Sequence, residues 1–380
     1  MQIKYFDHAA TTQLKKEVLD EMMPYLEDEY GNPSSIHRKG VIAKQAINNS
    51  RKRIAKSINA KEEEIYFTSG GTESDNTAIK GFARANKKKG NHIITTKIEH
   101  KAILESCRIL EDEGFEITYV NVDKFGMVNI LELEESIKES TILISVMFAN
   151  NEVGTIQPIK EIGEIARKHN IVFHTDAVQA IGNVKIDVKE LNIDMLSMSA
   201  HKFYGPKGVG VLYVNDNISF FPIINGGGQE KNKRGGTENV ANIVGMGKAI
   251  EMANEDVEKY NRKLYNLSNT LLEEINKYNI KFKLNGHPTK RLKGNLNLTF
   301  EGVDGESLLL LLSENGNCIS TASACGTNSK KISHVLKEIG LNEKEANETI
   351  RITFGEDNSI KDVIMLAKNI AEIINKLKEM

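Results

Sequence analysis

Short apolar runs alternate with longer amphipathic stretches between residues 64 and 214. Runs such as Ile65–Thr68, His92–Thr96 and Thr141–Phe148 have the length and the β-branched content of buried strands. The stretches between them, such as 130–139 and 158–169, repeat apolar residues at helical spacing. This succession predicts an α/β fold, with a mainly parallel sheet that is covered by helices and binds its ligand at the carboxyl ends of the strands.

The pattern changes after a helical stretch at about 241–277, where short strands and helices follow in mixed order. The predicted strands are 281–285, 295–300, 317–320 and 351–354. The predicted helices are 306–314, 330–339, 343–349 and 359–378. A chain of 380 residues is also too long for one hydrophobic core. We therefore predict a large domain over 14–255 and a smaller α+β domain formed by 1–13 and 256–380.

Composition excludes several classes of function. A formal net charge of -2 gives no basis for binding nucleic acid or an anionic membrane. No apolar run approaches the ~20 residues of a membrane helix, and the N-terminal segment lacks the apolar core of a signal peptide. The three cysteines, Cys107, Cys318 and Cys325, form no CxxC pair, which favours a reducing cytoplasm. We expect a cytoplasmic protein with no nucleic-acid, membrane or metal partner.

Lys202 follows the predicted strand Met195–Ser199, and a turn rich in glycine and proline leads to the next strand, Val209–Val214. A lysine in this place is either an ordinary surface residue or a desolvated amine. Desolvation lowers the proton affinity of an amine, so that a buried Lys202 would be a nucleophile able to form a Schiff base.

Two further strands end in polar motifs. After Ile65–Thr68, the glycines of Ser69-Gly70-Gly71-Thr72 lead into a helix, which offers free backbone N–H groups to a phosphate. A plain strand-to-helix turn is the alternative. Asp176 follows the run Ile171–His174, where a carboxylate is either a helix cap or the partner of a cationic group.

Two residues of the C-terminal part have unusual surroundings. Cys325 lies among Ser, Ala, Gly, Thr and Asn and is followed by Lys330-Lys331, a context that exposes a thiol and favours its nucleophilic thiolate form. Cys107 and Cys318, by contrast, are interpreted as small core residues. Arg351 lies in an apolar strand, where it clamps a carboxylate or joins an internal ion pair.

Several of these motifs together resemble the cysteine desulfurases. The segment SAHKFYGPKGVG at 199–210 is similar to the lysine segment of that family, which belongs to the fold type I, class V aminotransferase-like enzymes that use pyridoxal 5'-phosphate (PLP). HTDAVQ at 174–179 and Ser-Ala-Cys at 323–325 extend the likeness over almost the whole chain. The sequence departs from the common pattern at Gly326-Thr327, which leaves the mobility of this loop and the choice of acceptor open.

The resemblance implies a set of roles for residues of this chain. The catalytic group implied is Cys325, Lys202 and His100. The cofactor-binding group implied is Gly71, Thr72, Asn151, Asp176, Gln179, Ser199, His201, Lys202 and Thr237. The substrate-binding group implied is Arg351 and, as a helper, Asn32. Asp176 would keep the pyridine nitrogen protonated, so that the ring accepts electrons from the substrate.

The implied reaction converts L-cysteine to L-alanine, and the sulfur is held as a persulfide on Cys325. From there it passes to an acceptor, such as an iron–sulfur scaffold protein or a tRNA-thiolation enzyme. In the family the position of Thr237 reaches the cofactor of the other subunit, which implies a homodimer. Three alternatives stay open: a selenocysteine lyase or another PLP enzyme of the same fold, a non-catalytic phosphate-binding module at Gly70–Thr72, and a sulfur carrier without turnover.

Overall fold

The computed structural model describes residues 3–321 and 332–379 and confirms the predicted α/β fold. Its strands are β1 (Lys4–Tyr5), β2 (Ile65–Thr68), β3 (His92–Thr96), β4 (Glu116–Val120), β5 (Thr141–Ser145), β6 (Val172–Asp176), β7 (Met195–Ser199), β8 (Gly210–Val214), β9 (Lys283–Asn285), β10 (Asn295–Thr299), β11 (Asn317–Cys318), β12 (Ser320–Thr321) and β13 (Thr349–Thr353).

The helices cover most of the remaining chain. They are Lys16–Glu27, Arg38–Ser57, Gly71–Asn76, Phe82–Asn86, Lys101–Asp112, Ile130–Glu135, Ile159–Lys168, Val240–Glu255, Val257–Lys277, Gly305–Glu314, His334–Glu338, Glu343–Asn347 and Ile360–Glu379. A π-helical turn, Thr77–Gly81, joins two of them into one continuous helix from 71 to 86. The predicted stretch at 241–277 is two helices, because the backbone of Asp256 is not helical (φ -152°, ψ 69°) and its side chain accepts from the N–H of Lys259.

The large sheet has the strand order β2-β8-β7-β6-β5-β3-β4. Strands β7, β6, β5, β3 and β4 run parallel, whereas β8 pairs antiparallel with both of its neighbours. Since two reversals cancel, β2 points the same way as β7. The carboxyl ends of β2, β7, β6, β5 and β3 therefore lie at one edge of the sheet, which is the edge where α/β folds bind ligands.

A second layer of structure forms around β12-β13-β10-β9, an antiparallel sheet. Its core includes Leu298, Ile350 and Leu366, each fully buried, together with Phe6 from the N-terminal segment. The large sheet packs around a separate core that contains Ile144, Phe173 and Leu196. The domain boundaries at 13/14 and 255/256 stay a prediction.

The N-terminal segment is tied to both layers. β1 pairs in parallel with β11, and Asp7 forms a bridge with Thr353 at the end of β13. In the part of the chain that the structure describes, no helix combines the length and the apolar character needed to cross a bilayer.

Candidate active site

A cavity of about 250 Å³ lies at the carboxyl edge of the large sheet. Its lining residues are Gly71, Thr72, Asp75, His100, Met147, Ala149, Asn151, Asp176, Val178, Gln179, Ser199, His201 and Lys202. A larger groove, of about 830 Å³, runs beside Asp256. The described residues that line this groove include none of those predicted for the site. The smaller cavity is therefore the candidate active site, because several of the predicted polar residues line it.

Lys202 ends a 3₁₀ turn that continues directly from β7. Its Nζ donates to the carbonyl oxygens of Ala9 at 2.5 Å and Ala10 at 2.8 Å. The side chain is half-buried and lines the cavity, which favours the desolvated amine over the ordinary surface residue. The N-terminal segment is thus close to the amine.

Asp176 is the last residue of β6, and its Oδ1 accepts from the N–H of Val178 at 2.9 Å. Burial raises the pKa of Asp176, and the neighbouring His100 and Lys202 oppose this effect. Asp75 is also buried and lines the same cavity. Burial, and then the charge of Asp176, raise the pKa of Asp75 well above its usual value. Burial thus disfavours the charged form of both carboxyl groups, and more strongly that of Asp75.

The turn after β2 brings backbone N–H groups to the cavity. Gly70 has φ 153°, in the region that favours glycine, and precedes the helix that starts at Gly71. A Cβ added at Gly71 would meet Val178 Cγ2 at 2.7 Å, so only glycine fits against this wall. Ser199 and His201 lie on the same side, where His201 Nδ1 contacts Thr11 Oγ1 at 3.1 Å. Burial lowers the pKa of His201 to about 4, which leaves a neutral imidazole.

Three more predicted residues complete the lining. His100 caps the helix Lys101–Asp112, because its Nδ1 accepts from the N–H of Ala102 at 3.2 Å. This bond assigns the proton of a neutral ring to Nε2. Gln179 Nε2 donates to the Ala9 carbonyl at 2.9 Å, and Asn151 follows β5 at the cavity edge. His100 is thus both a cap and a cavity residue.

Arg351 has the internal ion pair that was one of its two interpretations. Its Nη2 contacts Asp7 Oδ1 at 2.7 Å, and its Nη1 donates to the carbonyl of Asn151 at 3.1 Å. The Arg351 side chain is only 7% exposed, and its Nε has no acceptor among the described residues. Through Asn151 the guanidinium touches a residue that lines the cavity. The carboxylate clamp stays a prediction.

Asn32 and Thr237 do not line this cavity in the part of the chain that the structure describes. Asn32 is exposed, and its Oδ1 accepts from the N–H of Ser34 in its own loop. Thr237 is exposed in the loop before the helix Val240–Glu255. Cys325 lies outside the described residues. Cys107, interpreted as a core residue, is fully buried, and burial raises the pKa of its thiol to about 12.

Asp75 and Val178 were missed, although the sequence carried a signal for each. Asp75 lies four residues after Gly71, which is one helical turn further on the same face. Val178 lies between Asp176 and Gln179. A buried chain of hydrogen bonds under the site was also missed: the ring nitrogens of His174 contact Ser145 Oγ at 2.9 Å and Ser197 Oγ at 3.0 Å. Burial lowers the pKa of His174 to about 3, so that this ring is neutral.

Comparison with known proteins gives consistent matches over the whole chain. The Aminotransferase class-V family model matches residues 4–366. Cysteine desulfurase IscS of Methanosarcina thermophila is 54% identical over 376 residues, which cover 99% of this chain and 93% of that protein. Cysteine desulfurase IscS of Clostridium botulinum strain Hall is 52% identical over 378 residues, with 99% and 95% coverage.

Solved structures agree with these sequence matches. A NifS-like protein superposes with a TM-score of 0.93 at 38% identity and covers 99% of this chain and 100% of its own. SspA in complex with cysteine superposes with a TM-score of 0.82 at 42% identity, with coverage of 92% and 98%. The similarity therefore includes both layers of the fold.

Proposed function

Because the chain belongs to the class-V aminotransferase family, and its relatives there are cysteine desulfurases, we propose that it removes sulfur from L-cysteine and releases L-alanine. One observation carries the proposal. An amine, a buried carboxylate, an imidazole and a glycine turn converge on one small cavity at the carboxyl edge of the sheet. The structure of SspA with cysteine supports cysteine as the substrate of this chain.

The residues of the cavity fit PLP. Val178 and Gly71 leave room for a flat ring and exclude a side chain at position 71. Asp75, which is buried and lines the same cavity, adds a polar group to its wall. Gly71, Thr72, Ser199 and His201 would hold the phosphate. Asn151 and Gln179 would hold the ring oxygen.

When bound, PLP supplies an aldehyde that reacts with amines and a ring that accepts electrons from the substrate carbon. Lys202 would bind the aldehyde, because it is one of the residues that line the cavity. Asp176 would pair with the pyridine nitrogen and keep it protonated. His100 has its Nε2 proton available, so that it can exchange a proton with the substrate.

We expect Arg351 to hold the α-carboxylate of cysteine. Its guanidinium has five N–H donors, of which Asp7 and the Asn151 carbonyl use two among the described contacts. The remaining donors, including the buried Nε, offer a fork for a carboxylate. Asn32 would help only by a movement of its loop, since it is exposed.

The sulfur would go to Cys325. The Sγ thiolate forms a bond with the sulfur of the substrate, and the carbon–sulfur bond breaks. The electron pair stays with the carbon, which takes up the proton lost by the substrate thiol, so that L-alanine and a Cys325 persulfide result. No outside oxidant or reductant is required.

Acceptor and assembly complete the proposal. The acceptor we propose is an iron–sulfur scaffold protein in the cytoplasm, and the similarity to cysteine desulfurases named IscS is consistent with an acceptor of sulfur. A homodimer would bring the exposed Thr237 to the cavity of the partner subunit, which would account for its absence from the lining of its own cavity.

Two variants test this function. The purified protein should be yellow, and Lys202→Ala should abolish both the colour and the trapping of a pyridoxyl group by borohydride. Cys325→Ala should keep the colour but transfer no sulfur. A colourless wild-type protein, or sulfur transfer by Cys325→Ala, would contradict the proposal. Turnover of selenocysteine but not of cysteine would favour a selenocysteine lyase.

A further inference from the structure

An acidic residue directly follows the glycine turn of the cavity. Glu73 follows Thr72, and its Oε2 accepts from the backbone N–H of Ser69 at 2.8 Å. The carboxylate thus folds back over the amino end of the helix, next to Gly70 and Gly71. A negative charge in this place stabilises the helix, but it also repels any anion that binds to the same turn.

Arg234 lies directly on this carboxylate. Its Nε donates to Glu73 Oε1 at 3.0 Å and its Nη2 to Oε2 at 3.4 Å. The Glu73 side chain is 9% exposed and that of Arg234 is 27% exposed. The pair is therefore shielded from solvent, where charges act over longer distances than at an open surface. Arg234 supplies a positive charge that cancels Glu73 at the turn.

The segment that presents Arg234 is fixed by unusual means. Glu230, Lys231 and Asn232 all have left-handed backbones, with φ of 44°, 58° and 64°. This conformation is unfavourable for residues other than glycine, so it persists only where other contacts enforce it. Arg234 is two residues further along, and its place depends on that turn.

Glu230 provides those contacts from a buried position. Its carboxylate binds Arg51 through two hydrogen bonds, at 2.7 Å and 2.9 Å, and accepts from the N–H of Phe67 at 2.8 Å. Phe67 belongs to β2, the strand that leads into the glycine turn. Glu230 thus holds the segment with Arg234 to β2 before the glycine turn, and Arg234 holds it to Glu73 after the turn.

We propose that Arg234 is a positioning residue for the phosphate of the cofactor: by neutralising Glu73, it lets the turn Gly70–Thr72 accept a doubly charged phosphate. This inference rests on the proposed function, since it takes PLP as the ligand. The alternative is that Glu73 and Arg234 only stabilise the helix end. The two accounts differ in one respect, because charge neutralisation matters for a phosphate and not for a ligand that lacks one.

The experiment measures the dissociation constants of PLP and of pyridoxal, which has no phosphate, for the full-length protein after removal of its cofactor. The variants are Arg234→Met, Glu73→Gln and the double variant. Arg84→Met is the matched control. Arg84 forms a similar pair, with Nε donating to Glu113 Oε2 at 3.0 Å, near the far end of the same helix and away from the cavity.

We expect Arg234→Met to weaken PLP about tenfold and to leave pyridoxal unchanged, since it leaves the charge of Glu73 beside the phosphate. The double variant should recover most of the PLP affinity, because the negative charge of Glu73 is then absent together with the positive charge of Arg234. Glu73→Gln and Arg84→Met should each bind PLP at least as tightly as the wild type.

Three results would overturn the inference: equal losses for PLP and pyridoxal, unchanged PLP affinity in Arg234→Met, or no recovery in the double variant. If Arg234→Met does not fold, Glu73→Gln decides alone, and a weaker PLP affinity in that variant counts against the inference. A wild-type protein that binds no PLP would instead refute the proposed function, so the two failures are distinguishable.

Discussion

Replacing Arg351 by lysine keeps the positive charge but removes the planar fork. In the structure, the guanidinium spans Asp7 at 2.7 Å and the Asn151 carbonyl at 3.1 Å, and its buried Nε is left without an acceptor among the described residues. A lysine ammonium has one nitrogen in place of three and cannot hold all of these groups and a carboxylate together. The Arg351→Lys variant should therefore bind the α-carboxylate of cysteine poorly.

The expected loss follows from the bonds involved. A hydrogen bond between charged partners contributes about 1.5–3 kcal/mol, which corresponds to a roughly 10- to 150-fold fall in kcat/KM. The loss should appear mainly in KM, because the carboxylate is bound in the ground state and in the transition state alike. The amount of bound PLP should not change.

The assay is the initial rate of alanine formation from L-cysteine, measured beside the turnover of cysteamine, which lacks the carboxylate. Arg351→Lys should lower only the rate with cysteine. Arg291→Lys is the control, since Arg291 is another buried arginine, bound to the carbonyls of Asn285 and Asn295 at 3.0 Å and 2.7 Å. Equal losses for cysteine and cysteamine would refute the role of Arg351, and so would an unchanged KM.

Three further variants test the buried charges. Burial raises the pKa of Glu99 to about 8, so the folded state holds a proton that the unfolded state loses above about pH 4.5. The free energy of unfolding should therefore fall between pH 5 and 8, by an amount on the order of 2–4 kcal/mol. Urea unfolding of Glu99→Gln should no longer show this fall. Glu230→Ala should lower the free energy of unfolding by about 3–5 kcal/mol, because it leaves Arg51 buried and unpaired, and an unchanged urea midpoint would contradict this. Asp176→Asn should raise the thermal stability of the cofactor-free protein, since burial disfavours the carboxylate, but slow alanine release by about 100-fold or more; a faster or unchanged rate would exclude Asp176 as the ring partner.

Much of the large sheet could be predicted from local pattern. The strands at 65–68, 92–96 and 195–199 were predicted with the bounds that the structure gives them. The reason is physical, since strands buried on both faces have to be short and apolar, and the polar residues that follow them mark their ends. The glycine turns and charged residues that follow these strands also indicated where the ligand would bind, since the strand ends lie together at one edge of the sheet.

The order of the strands could not be predicted in this way. The antiparallel pairs of β8 with β7 and β2 depend on which apolar faces meet, and a one-dimensional pattern contains no such information. The π-helical turn Thr77–Gly81 was not predicted either, because five residues are too few to show a period of their own. Asp75 was missed because a carboxylate on a helix is usually solvated, and only the packed structure shows that this one is buried.

The N-terminal segment shows the limit most clearly. By pattern alone it is a short end with little preference for any structure, yet it lies across the amine of Lys202. Thr12 Oγ1 donates to the His201 carbonyl at 2.9 Å and accepts from the N–H of Tyr204 at 2.7 Å, while Asp7 binds Arg351 from the other layer. These partners lie some 190 and 344 residues away in sequence. The segment is therefore ordered by the two layers it joins, and its carbonyls in turn hold the amine of Lys202 at the cavity.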